Sequence, residues 1–99
     1  MHQEKYNLTW HAYSDHLQEM LHGMMASQDF TDVTLVCNDQ KKIKAHKVVL
    51  SACSPVFRNI LNENNHPHPM IYLRGIGYQD MESILQFVYL GQATFIKKE

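Results

Sequence analysis

The stretch FTDVTLVCNDQKKIKAHKVVLSACSPVF, residues 30–57, decides the fold. Val33-Thr34-Leu35-Val36-Cys37 concentrates β-branched residues and reads as a strand. Asn38-Asp39-Gln40-Lys41 supplies a turn, and Lys42-Ile43-Lys44-Ala45-His46 returns as the second strand of a hairpin. Lys47 to Ala52 (KVVLSA) is a short apolar helix. Ser54-Pro55 starts the next one: the serine oxygen accepts an orphan backbone N–H at the N-cap, and proline at N1 loses no hydrogen bond. Val56, Phe57, Ile60 and Leu61 give that helix an apolar side. The segment holds patterning and charges but no catalytic constellation, which points to a scaffold whose surface does the work.

Toward the N-terminus, Tyr6-Asn7-Leu8-Thr9-Trp10 alternates large apolar and polar residues, the period of a short strand. A strand this short needs a sheet edge to join. From His11 to Ala26 the period becomes helical, with Leu17, Met20, Leu21, Met24 and Met25 on one face and Tyr13 one turn earlier. Gly23 weakens this helix by about 1 kcal/mol relative to alanine and leaves a notch for a close backbone. The methionines fit ordinary core packing, and they also fit an adaptable contact surface. With Tyr13 and Trp10 beside it, the stripe is wider than one small core covers, so one flank is expected on the domain and the other on a partner.

Toward the C-terminus, Asn62 to Pro69 is a polar loop and Met70 to Leu73 a buried strand. Gly75-Ile76-Gly77 breaks the chain. Tyr78 to Leu90 is an amphipathic helix carrying Met81, Ile84, Leu85, Val88 and Tyr89, with Gly91 as its stop. Ala93 to Ile96 is a last short strand. The expected class is α+β, helices clustered around a small mixed sheet. Residues 1–99 are read as one domain, with an N-terminal strand and helix over 5–26 and a core over 30–96.

Composition narrows the function. Nine basic and ten acidic residues give a net charge of −1, without the footprint of a nucleic-acid-wrapping protein. No apolar run approaches the roughly 20 residues of a membrane helix, and the polar MHQEKYNLTW opening has no signal-peptide core. Cys37 and Cys53 sit inside apolar patterns and read as reduced core thiols of an intracellular protein.

Sharper chemistry finds little footing. His11, His16 and His22 do not share a helical face at i, i+4, and no Cys-x-x-Cys or finger spacing occurs. His66 and His68 straddle Pro67 and read as a fortuitous loop pair, so no metal, cofactor or small-molecule substrate is expected. Cys53 has no base placed near it in sequence and reads as a buried thiol. Lys41, Lys42, Lys44 and Lys47 read as solubilising residues that guard an edge strand, without direct DNA contact. No catalytic residue is assigned, and an enzyme is not expected.

Phe30 to Leu35, Ala45 to Phe57, Ile71 to Leu73 and Phe87 to Ala93, in this order, resemble the BTB/POZ domain over nearly the whole chain. The opening Tyr6-Asn7-Leu8-Thr9-Trp10 is similar to the aromatic-x-Leu-Arg-Trp start of the Tramtrack group of arthropod transcription regulators. It departs from that group at Thr9 and at His11, where the group carries Arg and Asn. The resemblance implies a two-fold dimer in which the first helix packs on its mate and the N-terminal strand pairs with the partner's last strand. Such exchange covers a sheet edge. The implied interface comprises Tyr6, Leu8, Trp10, Tyr13, Leu17, Met20, Leu21, Met24, Ala93 and Phe95. Asp32 and Lys47 match an acidic and a basic residue of a charged pocket near that seam in zinc-finger members. Family members continue with further helices, so the resemblance implies that C-terminal helices are missing. The implied function is homodimerisation or larger self-association of a nuclear transcription or chromatin regulator. Other BTB domains and a corepressor peptide are the implied further partners, and linking DNA-binding modules by avidity is the mechanism. The alternative is a substrate adaptor for a cullin-type ubiquitin ligase, through residues 54–62 and the last helix.

Overall fold

Val33-Thr34-Leu35-Val36 forms β1 (Val33–Val36) at the centre of a three-stranded sheet, in a computed structural model that describes residues 3–93. β1 pairs antiparallel with β2 (Lys42–Ala45) and parallel with β3 (Met70–Tyr72), giving the order β2-β1-β3. Gln40 closes the hairpin turn in the left-handed region, with φ 63°, and its N–H donates to Cys37 O at 2.9 Å.

The helices are α1 (Tyr13–Ser27), α2 (Lys47–Cys53), α3 (Pro55–Glu63) and α4 (Tyr78–Leu90). Val33 and Leu35 of β1 point with Ile43 and Ala45 of β2 into one core, against Leu50 of α2 and Met81, Leu85 and Tyr89 of α4. The start of α3 follows its local signals: Ser54 Oγ accepts from Phe57 N–H at 3.3 Å with Pro55 at N1. Gly91 ends α4 at φ 79°, its N–H donating to Phe87 O at 2.9 Å.

Several expectations are corrected. Residues 6–10 form no strand in the single chain, because five residues gain nothing from extension without an edge to pair with. The helix expected from His11 begins at Tyr13, after Ala12 adopts a left-handed φ of 60°, and runs to Ser27. α3 takes the first two residues of the expected 62–69 loop. β3 stops at Tyr72, although Leu73 N–H still donates to Val36 O at 2.9 Å. Of the two cysteines only Cys37 is buried; Cys53, the last residue of α2, is exposed. Of the expected last strand, Ala93 is half-buried and in no strand, and residues 94–96 lie outside the described residues.

Candidate protein–protein interface

Helix α1 divides its apolar face. Leu21 and Met25 pack against the core, and Met24 is half-buried. Tyr13, Leu17 and Met20 lie on the adjoining stripe and stay in solvent, Leu17 at 36% exposure and Met20 at 48%. No residue of this 15-residue helix is fully buried. Gly23 faces open space, where an added Cβ would meet nothing within 4 Å. Trp10 folds back on the helix start, its ring 5.2 Å from that of Tyr13 at a steep angle and 5.4 Å from His16. Tyr6 and Leu8 extend beyond it, Leu8 at 98% exposure. Of the expected interface, Trp10, Tyr13, Leu17 and Met20 therefore form one apolar patch. Leu21 turns to the core, Tyr6 and Leu8 project from the arm, and Phe95 lies outside the described residues.

The second expected feature takes a different form. Asp32 Oδ1 accepts from the backbone N–H of Lys47 at 2.7 Å, capping α2 from outside the helix, whose own N-cap residue His46 supplies no side-chain bond. The Lys47 ammonium instead donates to His66 O at 3.0 Å. Asp32 and Lys47 thus meet through backbone, and both are only half-buried.

Sequence reasoning missed His46. This ring is buried and links three segments: Nε2 lies 2.7 Å from Asp29 O, and Nδ1 lies 2.7 Å from the Tyr89 hydroxyl. A carbonyl only accepts, so the proton sits on Nε2 and the Tyr89 O–H donates to Nδ1. The same hydroxyl accepts from His46 N–H at 2.9 Å. Burial, the larger influence, raises the Tyr89 pKa, and the bond from His46 N–H pulls it back in part. A cavity of about 200 Å³ between Gln28, Ile43 and Glu82 opens beside this latch. Both ring nitrogens are already engaged, so His46 offers it no free base.

The loop histidines are also occupied. His66 Nδ1 accepts from His68 N–H at 2.9 Å, and His68 Nε2 lies 2.8 Å from Thr34 Oγ1. Among the described residues no group of three His, Cys, Asp or Glu side chains is placed to hold a metal ion. Burial, followed by the charge of Asp39, pushes the Cys37 thiol up, away from the reactive thiolate. Among the described residues no helix is long and apolar enough to cross a membrane.

The described residues place a half-exposed apolar helix beside a small mixed sheet. The family model of the BTB/POZ domain matches residues 21–99. The chain belongs to the BTB/POZ family. It is 42% identical to the Drosophila melanogaster protein abrupt over 93 residues, covering 94% of this chain and 10% of abrupt. Against the tramtrack alpha isoform of the same organism, identity is 36% over 91 residues, 92% of this chain and 11% of that protein. The chain therefore spans about a tenth of the length of these relatives. The BTB domain of human gigaxonin superposes with a TM-score of 0.72 at 26% identity, covering 97% of this chain and 78% of that one. A BTB/POZ domain is a protein-interaction fold, and its α+β architecture is the one described above. Members of the family self-associate and bind other BTB proteins.

Proposed function

We propose that this BTB/POZ domain is the self-association module of a nuclear transcription or chromatin regulator, with α1 and the arm before it as the seam. The observation that carries this reading is the division of α1: its inner flank is packed, and Trp10, Tyr13, Leu17 and Met20 form an exposed apolar patch among the described residues. A second copy related by a two-fold axis presents the same patch, so one surface serves both partners. The arm carrying Tyr6 and Leu8 then pairs with the partner's sheet, which supplies the edge that five residues lack alone. Linking two chains raises the effective concentration of whatever binding modules they carry, without any base contact by the domain itself. The same seam, or a heterotypic BTB partner on it, offers a groove for a corepressor peptide.

The test is molar mass in solution across a dilution series, for the wild type and for Leu17→Asp/Met20→Asp. The expected result is a wild-type dimer or larger species and a folded, monomeric double variant, because charges on a desolvated seam cost several kcal/mol of association. A folded wild-type monomer at every concentration overturns the reading.

A ubiquitin-ligase adaptor role is the second reading. It is favoured by the outward side of α3, where Val56 is 67% exposed and Ile60 lies one turn beyond.

A further inference from the structure

The outer face of the sheet takes no part in the seam, and the strand register sets its composition. Lys44, Thr34 and Met70 stand in one row across β2, β1 and β3, and Lys42, Val36 and Tyr72 stand in the other. Alternation sends the residues between them, Ile43, Leu35 and Ile71, to the core side. Thr34 and Val36 are buried, the Thr34 hydroxyl against His68 Nε2 at 2.8 Å, while Tyr72 is 72% exposed and Met70 is exposed beside it. At the Val36 end the floor is therefore apolar and the walls are long side chains.

The charge on this face has one sign. Lys42, Lys44 and Arg74 make no ion pair among the described residues. The neighbouring lysines are engaged elsewhere: the Lys41 ammonium lies 5.6 Å from the centre of the Tyr78 ring, and Lys47 holds His66 O. Asp39, the acidic residue of the hairpin turn, is drawn toward α4, where its Oδ2 accepts from Tyr78 N–H at 3.3 Å. The three strands contain no carboxylate. At the Arg74 end a cleft of about 540 Å³ opens between Val36, Gln40, Lys42, Tyr72 and Arg74.

β3 is also an edge strand, with no strand on its outer side among the described residues. Thr34 N–H donates to Pro69 O at 3.0 Å and Leu73 N–H to Val36 O at 2.9 Å. Alternation then turns the N–H and C=O of Met70 and Tyr72 away from β1. An extended peptide can pair with such an edge and set alternate side chains on the face. Three cations and one aromatic ring are too few for the groove that tracks a phosphate backbone. They suit carboxylates flanking an apolar anchor.

We propose that the outer sheet face and the β3 edge dock an extended acidic peptide, which sets an apolar side chain against Tyr72 and its carboxylates near Lys42 and Arg74. This site is separate from the α1 seam and does not depend on it. The test is fluorescence anisotropy of the labelled peptide EEDLFDEE with the intact chain. Its basic counterpart KKRLFKRK and a ten-nucleotide thymidine oligomer serve as competing probes. The acidic peptide alone is expected to bind, more weakly as salt rises. Lys42→Glu/Arg74→Glu is expected to weaken binding at least about tenfold, through like-charge repulsion. Tyr72→Ser should weaken it several-fold, and both variants should keep the wild-type melting curve and molar mass because the altered side chains are exposed. If the charge reversals disturb folding, Lys42→Gln/Arg74→Gln must still weaken the peptide. Absence of saturable binding overturns the proposal, and so does binding that the double variants leave unchanged, which would place the peptide at the seam. Oligonucleotide binding as tight as the peptide's overturns it in favour of a nucleic-acid face. A changed molar mass in folded double variants overturns it in favour of a second copy.

Discussion

At the scale of single residues, the Tyr89 hydroxyl makes two bonds to one residue, accepting from His46 N–H and donating to His46 Nδ1. Both partners are buried, so removing the oxygen leaves a donor and an acceptor without their protein partner. Tyr89→Phe is therefore expected to lower stability by about 1–3 kcal/mol in urea melts, with an unchanged m-value. The pH dependence follows from the direction of the Tyr89 shift. Burial raises its pKa in the folded chain, so the contribution of the neutral phenol is complete below the unfolded value of about 10 and is lost as pH rises through the folded value. Tyr89→Phe lacks the titrating group and should lose less stability than the wild type between neutral pH and the alkaline limb. Equal losses in both would remove Tyr89 as a source. Little of this latch was legible beforehand. The helical period puts Tyr89 on an apolar face, but a histidine between a strand and a helix carries no local mark of burial, and its partner lies 43 residues away.

At the scale of elements, legibility follows the range of the signal. The β1–β2 hairpin, the Ser54-Pro55 start of α3 and the Gly91 stop of α4 are written in adjacent residues, and the structure keeps them. The strand expected at residues 6–10 depends on an edge outside the local sequence, and it is absent from the single chain. Cys53 failed for a related reason: an apolar neighbourhood in sequence does not say which side of a seven-residue helix meets the core. Asp32 and Lys47 show how an apparent charge pair divides into unequal roles. Asp32 supplies the N-terminal cap of α2 across 15 residues, whereas the Lys47 ammonium makes one exposed bond. Asp32→Ala is expected to cost about 1–2 kcal/mol, the range of a lost cap, and Lys47→Met less than about 0.5 kcal/mol, as for an ordinary surface change. A double-mutant cycle should show little coupling between the two side chains. Coupling of 1 kcal/mol or more, on the scale of contacting pairs, would mean that their charges interact after all.

At the scale of the whole molecule, the radius of gyration is 17.3 Å and the longest extent 67 Å, against about 13 Å expected for a compact chain of this length. Every residue from 3 to 20 is exposed, so the arm and the first half of α1 contribute length without contributing core. A chain of 99 residues buries a limited share of its surface, and apolar area left outside is stability forgone unless a second chain covers it. If a second copy covers the patch, folding and association become linked, and the melting temperature must depend on concentration. For two 99-residue chains unfolding together, with about 0.7 kcal/mol of enthalpy per residue, each tenfold increase in concentration should raise the melting temperature by roughly 3–4 °C. Leu17→Asp/Met20→Asp should abolish that slope and melt near the low-concentration limit of the wild type. Calorimetry over two decades of concentration separates the cases, because a monomer melts at one temperature throughout. A flat wild-type series would mean that the exposed half of α1 is not covered by a second copy, and the partner would then have to be a different chain.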